Sequence, residues 1–250
     1  MTDAVYLQEL SVAAKETEPQ DVFFKPDGTK MYVIGSNGQA VDEYDLGTQW
    51  DVTTAVWLQE FSVAAKENYP TGLAFKPDGT KMYTIGSGGD SVDEYDLGTQ
   101  WDVSTAVYLR EFSVAAQGTG PRSVVFKPDG TKMYVVDSDD DTVDEYDLGT
   151  QWDVSTAVYL REISIVAKDT FPLGLFFKPD GTKMYVAGAT DVTVDEYDLG
   201  TQWDVTTAVY LQEISVAVED AMPSGVIFKP DGSKMYMVGF TGQTVYEYDL

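Results

Sequence analysis

Short apolar runs alternate with turn residues along the whole chain. In the first full unit "DVFFK" (Asp21 to Lys25) is apolar and aromatic, and "PDGT" (Pro26 to Thr29) is a tight turn. Pro presets φ there and Gly supplies a positive φ. "KMYVIG" (Lys30 to Gly35) reads as the next strand and "SNGQ" (Ser36 to Gln39) as a second turn. "AVDEYDL" (Ala40 to Leu46) is a third strand, "GTQWDVTT" (Gly47 to Thr54) a polar connection, and "AVWLQEFSVAA" (Ala55 to Ala65) a fourth strand. No segment holds a helical period. Four β-branched and aromatic runs separated by Gly and Pro turns predict a four-stranded antiparallel meander.

The meander recurs. "FKPDGTKMY" begins at Phe24, Phe75, Phe126 and Phe177, and "FKPDGSKMY" begins at Phe228, so the period is 51 residues. A strict period of this size with strands in every unit predicts a propeller. The fold expected is all-β: a five-bladed β-propeller of four-stranded antiparallel blades in one domain, residues 1–250. Its blades are expected near residues 15–65, 66–116, 117–167, 168–218, and 219–250 plus 1–14. The chain starts in an outermost strand (Ala4 to Ala14) and stops in a third strand (Thr244 to Leu250). Pairing the two completes a fifth blade and hides the edges that an open array would expose. Relative to five full periods, only "GTQWD" is missing at that seam. An open array, or a dimer pooling ten units, is the alternative.

"VVFKPDGTKMYVVDSDDDTVDEYDL" (Val124 to Leu148) resembles the YVTN type of β-propeller repeat. The resemblance extends to every unit. It implies the fold, and an extracellular or cell-surface setting, but little about function, since propellers host many activities. Two features depart from that type: the longer unit, and a glutamate (Glu43, Glu94, Glu145, Glu196, Glu247) where an apolar residue is usual.

Comparing the five copies separates two faces of the disc. The turns between first and second strands and the connections from third to outermost strands barely change. The connections into each blade ("KETEPQD", "KENYPTG", "QGTGPRS", "KDTFPLG", "EDAMPSG") and the loops between second and third strands ("SNGQ", "SGGD", "SDDD", "ATDV", "FTGQ") vary. Strand direction places the variable loops on one face and the constant turns on the other. Loops on a rigid scaffold are where binding usually resides. Lys30 is expected across from Asp45 on the constant face, with the same pair in each blade.

Charge narrows the partners. With 16 basic and 42 acidic residues the net charge is -26, which repels phosphate backbones and anionic lipid. Nucleic acid is therefore not expected, nor is insertion into a membrane, since no apolar run is long enough to span one. There is no cysteine and no histidine, which removes disulfides, thiolate metal sites and the commonest general base. Met1 leads directly into the repeats, so no secretion leader is expected. A monomer is expected.

The candidate chemistry is sparse. Before or after the entry proline stand Tyr69, Arg122, Phe171, Leu173 and Met222, and Phe240 opens the last variable loop; together they suggest a contact patch for a protein or glycan on the variable face. Repeated Trp50, Trp101, Trp152 and Trp203 are packing residues or, in the alternative, equivalent sugar sites of a multivalent lectin. Asp137, Asp139, Asp140 and Asp141 form the densest acidic stretch and offer oxygens for calcium, though without the interleaved glycine of a usual calcium loop. No other cofactor is expected. The floor of the central channel carries Asp21, Gly72, Ser123, Gly174 and Gly225: one acid, not a metal-binding cluster. Without histidine, and with most carboxylates copied in every blade, no enzymatic activity is expected. The expected function is a non-catalytic binding or structural scaffold using the variable face. A lectin is the alternative, followed by an engineered or recently amplified propeller with no selected ligand, and a metal-dependent hydrolase.

Overall fold

The computed structural model describes residues 4–250. It contains five four-stranded antiparallel sheets. The second copy shows the plan: Pro70–Phe75 innermost, then Lys81–Gly86, Ser91–Leu97 and Ala106–Ser113. In the fifth sheet Pro223–Phe228, Lys234–Gly239 and Thr244–Asp249 are completed by Val5–Ser11 from the other end of the chain. That pairing runs from Val5 opposite Asp249 to Ser11 opposite Thr244. The innermost strands of successive sheets pack against one another around the ring, including the fifth against the first.

Burial explains the strand order. The inner three strands of each blade are almost wholly buried, whereas the outermost alternate between half-buried and exposed residues. Apolar faces of adjacent blades therefore bury one another, as in the cluster that joins Tyr32, Ile34 and Val41 to Leu73, Phe75 and Trp101. The tight turn needs its glycine: Gly79 has φ of +71°, and the Trp101 indole lies where a Cβ would be. Trp101 is itself left-handed at φ of 63°, a conformation that costs a bulky residue about 1–2 kcal/mol. Packing holds it there. The ring stacks on Phe75 at 5.6 Å, and its carbonyl accepts the Tyr32 hydroxyl of the preceding blade at 2.8 Å.

Lys30 does lie opposite Asp45, and Nζ reaches its carboxylate at 2.8 Å. The same Nζ also binds Glu43, whose side chain is fully buried. Glu43 in turn accepts the Val103 amide of the next blade at 3.0 Å and the Gln59 amide at 2.9 Å. The glutamate that departs from the YVTN pattern is thus an inter-blade tie.

Acidic groups fall into two populations with opposite consequences for stability. Asp93 and Asp144 are pushed up to about 7, and Asp42 and Asp195 to about 6, chiefly by burial. Each also faces a glutamate across the strand pair (Asp93 opposite Glu111, for example), which acts in the same direction. In the turns, burial alone would raise Asp27, Asp78 and Asp129, but hydrogen bonds from the neighbouring lysine and threonine outweigh it and hold them near 2. The first group keeps protons that the unfolded chain releases near pH 4, so stability falls as pH rises from about 4 to 7. The second contributes above about pH 4 and is lost as pH falls toward 2. Stability is therefore expected to peak between about pH 4 and 6, and the urea midpoint at pH 5 to exceed that at pH 8. An equal or higher midpoint at pH 8 would contradict this assignment.

Candidate functional site

The main concavity tied to all five blades is the central channel, a cavity of about 180 Å³. It opens beside the prolines of the constant turns, Pro26, Pro77, Pro128 and Pro179. Its wall is apolar: Phe23, Ala74, Val125, Phe176 and Ile227 occupy equivalent places on the innermost strands. No lysine or arginine lines it among the described residues.

Asp21 and Ser123 form its floor. The innermost strands converge there, so most copies carry glycine. A Cβ on Gly72 or Gly174 would lie 2.8 Å from the next blade's carbonyl oxygen, and one on Gly225 would meet Asp21 at 2.4 Å. Asp21 uses that space. Its Oδ2 accepts the Leu73 amide at 3.0 Å and its Oδ1 accepts the Val22 amide at 2.8 Å. Burial pushes the carboxyl up to about 7, against the downward pull of those two amides. A buried carboxyl with this affinity can accept and return a proton near neutral pH.

The ring of residues preceding the floor positions is mostly buried, with Arg122 half-buried. Gln20, Thr71, Leu173 and Ser224 are buried at equivalent positions. The Thr71 hydroxyl donates to the Pro121 carbonyl at 3.0 Å, and that of Ser224 to the Pro19 carbonyl at 3.2 Å, each bridging adjacent blades. Leu173 belongs to this ring. At 3% exposure it presents no side chain to a partner, because an apolar residue at the convergent ring turns inward. The structure brings Arg122 and Phe171 together, with the guanidinium 5.2 Å from the ring centre. It also joins Phe240 to Met222 through a backbone hydrogen bond of 3.0 Å. Phe171, Met222 and Phe240 are half-buried, and Tyr69 is exposed.

The repeated tryptophans and the acidic stretch both have structural roles. Trp50, Trp101, Trp152 and Trp203 are buried under the turn glycines of their own blades and stacked on phenylalanines, so they offer no open platform for sugars. The acidic stretch has a capping role. Asp137 accepts the Gly120 amide at 3.1 Å, the Asp139 amide at 2.8 Å and the Asp140 amide at 3.2 Å. In the other blades Glu16, Glu67, Asp169 and Asp220 cap these loops from the opposite side. Those four acids each pack on a glycine (Gly35, Gly86, Gly188, Gly239); in the third blade the pair is exchanged, and Asp137 packs on Gly118. Asp139 takes the Thr119 hydroxyl, and Asp141 is left-handed in the turn. Among the described residues no group of three or more acidic side chains is placed to hold a metal.

Residues 66–170, less than half of the chain, match the family described as "Lactonase, 7-bladed beta-propeller". No curated protein matches. The chain is similar to a solved, functionally unknown protein from Desulfotomaculum acetoxidans DSM 771, at 14% identity and a TM-score of 0.54, covering 88% of this chain and 62% of that one. It is similar to a "putative 6-phosphogluconolactonase" from Bacteroides uniformis ATCC 8492, at 13% identity and a TM-score of 0.56, covering 89% and 64%. The Myceliophteria thermophila Cps50 (Swd1) β-propeller domain is similar at 8% identity with a TM-score of 0.57, and 99% of each chain is covered. The chain thus spans less than two thirds of the length of the first two structures.

The fold class is a β-propeller repeat protein with five blades. The family match falls on a lactonase propeller and carries no sign of the YVTN type. The expectation of a chain without enzymatic activity is corrected by this match, since residues 66–170 fall in a family described as a lactonase. The absence of histidine excludes histidine as base, but leaves a buried carboxyl such as Asp21 able to serve.

Proposed function

We propose that the protein binds a small uncharged cyclic ester in its central channel and that Asp21 promotes its hydrolysis. The supporting observation is a single carboxyl, pushed up to about 7, at the floor of an apolar cavity. The ionised carboxylate takes a proton from water as the water oxygen bonds to the ester carbonyl carbon. The ring C–O bond then breaks, and the proton passes to the departing alkoxide, leaving an open hydroxy acid. The lactonase match includes Leu73 and Ala74 of the channel wall and Ser123 of its floor, while Asp21 lies outside the matched residues 66–170. A phosphorylated lactone fits poorly, since no basic residue lines the channel among the described residues and the net charge is -26. A cavity of about 180 Å³ falls below the usual ligand range of roughly 300–1,000 Å³, which favours a small ring.

The test is hydrolysis of γ- and δ-lactones, followed by acid release, with wild type beside Asp21→Ser. Serine already occupies the equivalent floor position at Ser123, so the fold should tolerate it. The loss expected in kcat/KM is about 10²–10⁴-fold with no fall in Tm. Wild type without turnover, or turnover that survives Asp21→Ser, would contradict the proposal.

A second reading rests on two half-buried pairs of the variable face, Phe171 beside Arg122 and Phe240 bonded to Met222: contact with a protein or glycan there. On that reading, a binder found by screening loses affinity with Phe171→Ser and Phe240→Ser while lactone turnover is retained. Affinity unchanged in both variants would contradict it.

A further inference from the structure

The channel wall is not five-fold symmetric. Phe23, Ala74, Val125, Phe176 and Ile227 stand at equivalent places. Where the residue is phenylalanine, its ring lies over an aromatic residue of the next blade. Phe23 packs at 5.0 Å from Phe75 and 6.4 Å from Trp101, and Phe176 at 5.2 Å from Phe228. Rings attract one another at separations of this size.

At Ala74 that cover is missing. Phe126 and Trp152, the aromatic pair of the following blade, are built as Phe75 and Trp101 are, with ring centres 5.5 and 5.6 Å apart. Only the alanine methyl group stands where Phe23 carries a ring. Trp152 therefore lines the channel, whereas Trp101, under Phe23, is not among the described residues that do. Phe126 is 8% exposed against 4% for Phe75. Val125 packs against the pair Phe177 and Trp203 but is smaller than phenylalanine, and Trp203 still lines the channel. One side of the channel thus holds an aromatic recess beneath Ala74.

The recess sits beside the floor. Ala74 is two residues along its strand from Gly72, a rise of about 6.5 Å. Gly72 lies between the two floor side chains. A Cβ there would come within 2.8 Å of the Ser123 Cα, and the amide of its neighbour Leu73 is the one that Asp21 holds at 3.0 Å. The second blade therefore has glycine where the first has Asp21, and alanine where the first has Phe23. Both differences open the same side of the channel. The first leaves room for a lactone ring beside Asp21, and the second for a group attached to that ring. Phe23 shows which group this kind of aromatic pair accepts.

We propose that the recess under Ala74 binds a phenyl-sized aromatic group, and that the substrate of the channel is a small lactone carrying one. The substrate assignment rests on the hydrolytic reading of Asp21; the recess does not. The aromatic group lies over Phe126 and Trp152 as Phe23 lies over Phe75 and Trp101, with the lactone ring toward Asp21.

The test has two arms. In the first, hydrolysis of γ-phenyl-γ-butyrolactone is compared with that of γ-butyrolactone, by wild type and by Ala74→Phe. Wild type should favour the phenyl lactone by at least about tenfold in kcat/KM, since burial of a ring is gained. Ala74→Phe should abolish that preference, and it should fold, because Phe23 and Phe176 already stand at equivalent places. In the second arm benzyl alcohol, which has no ester bond, is titrated into both proteins and followed by NMR. Its ring should show nuclear Overhauser contacts to the Ala74 methyl group and the Trp152 indole of wild type, and Ala74→Phe should not bind it. No turnover of either lactone would overturn the substrate assignment together with the hydrolytic reading. Turnover without preference for the phenyl lactone, or a preference kept by Ala74→Phe, would overturn the recess and leave the hydrolytic reading standing. Benzyl alcohol that fails to bind, or binds without touching Ala74, would overturn the recess whatever the lactones do.

Discussion

Trp101→Ala should lower the unfolding free energy by about 3–5 kcal/mol, the range for emptying a large aromatic site. The ring is buried, stacks on Phe75 and lies near Phe23 and Tyr32 of the preceding blade. Its loss uncouples two blades at once. Trp101→Gly should be less damaging than Trp101→Ala by about 1 kcal/mol, because position 101 is left-handed and alanine keeps that strain whereas glycine does not. Urea denaturation of the two variants checks both the size and the order. A loss below about 1 kcal/mol for the alanine variant, or glycine worse than alanine, would show that the indole is not the blade-to-blade lock described here.

Lys30→Met should cost about 3–5 kcal/mol, the usual result of leaving one partner of a buried ion pair alone. Glu43 is fully buried and has Lys30 as its cation. The corresponding Lys132→Met should cost less, because Arg161 Nε lies 3.2 Å from Glu145 in that blade and can take over the charge. Adding Glu43→Gln to Lys30→Met should recover much of the loss, since glutamine can still accept the Val103 amide without a buried charge. Thermal unfolding of the single and double variants measures the coupling. Equal losses in the two blades, or additive effects of the two substitutions, would contradict the assignment.

Much of this architecture is legible in the sequence. The period, the PDG turn and the unfinished first and last units point to a ring closed by Val5–Ser11 on Thr244–Asp249, which buries the sheet edges that an open array would leave bare. Lys30 opposite Asp45 followed from hairpin register. Glu43 was visible as a departure, but its role was not: only the diagonal neighbour on the same strand face brings it to Lys30, and only blade packing brings it to Val103. Glu16, Glu67, Asp169 and Asp220 are scattered single acids in the sequence, and only the fold shows that each caps a loop inside its own blade. The exchange of Glu16–Gly35 for Gly118–Asp137 was written in the repeats; it needed pairs of positions to be compared rather than single columns. In the sequence Asp21 is the one acid among the floor positions, with no cluster of acids around it. Its significance comes from burial, which depends on how closely five strands converge.

The measurement that tests the channel assignment most directly is carboxyl-carbon NMR titration of wild type and Asp21→Ser, each with and without a small lactone. One carboxyl titrating near pH 7 should be absent from the serine variant. That resonance should shift when lactone is added to wild type, while the buried Asp93 and Asp144 should not respond. If the two proteins titrate alike near neutrality, or if lactone leaves the Asp21 resonance unmoved, the channel floor is not the site at which this propeller meets its ligand.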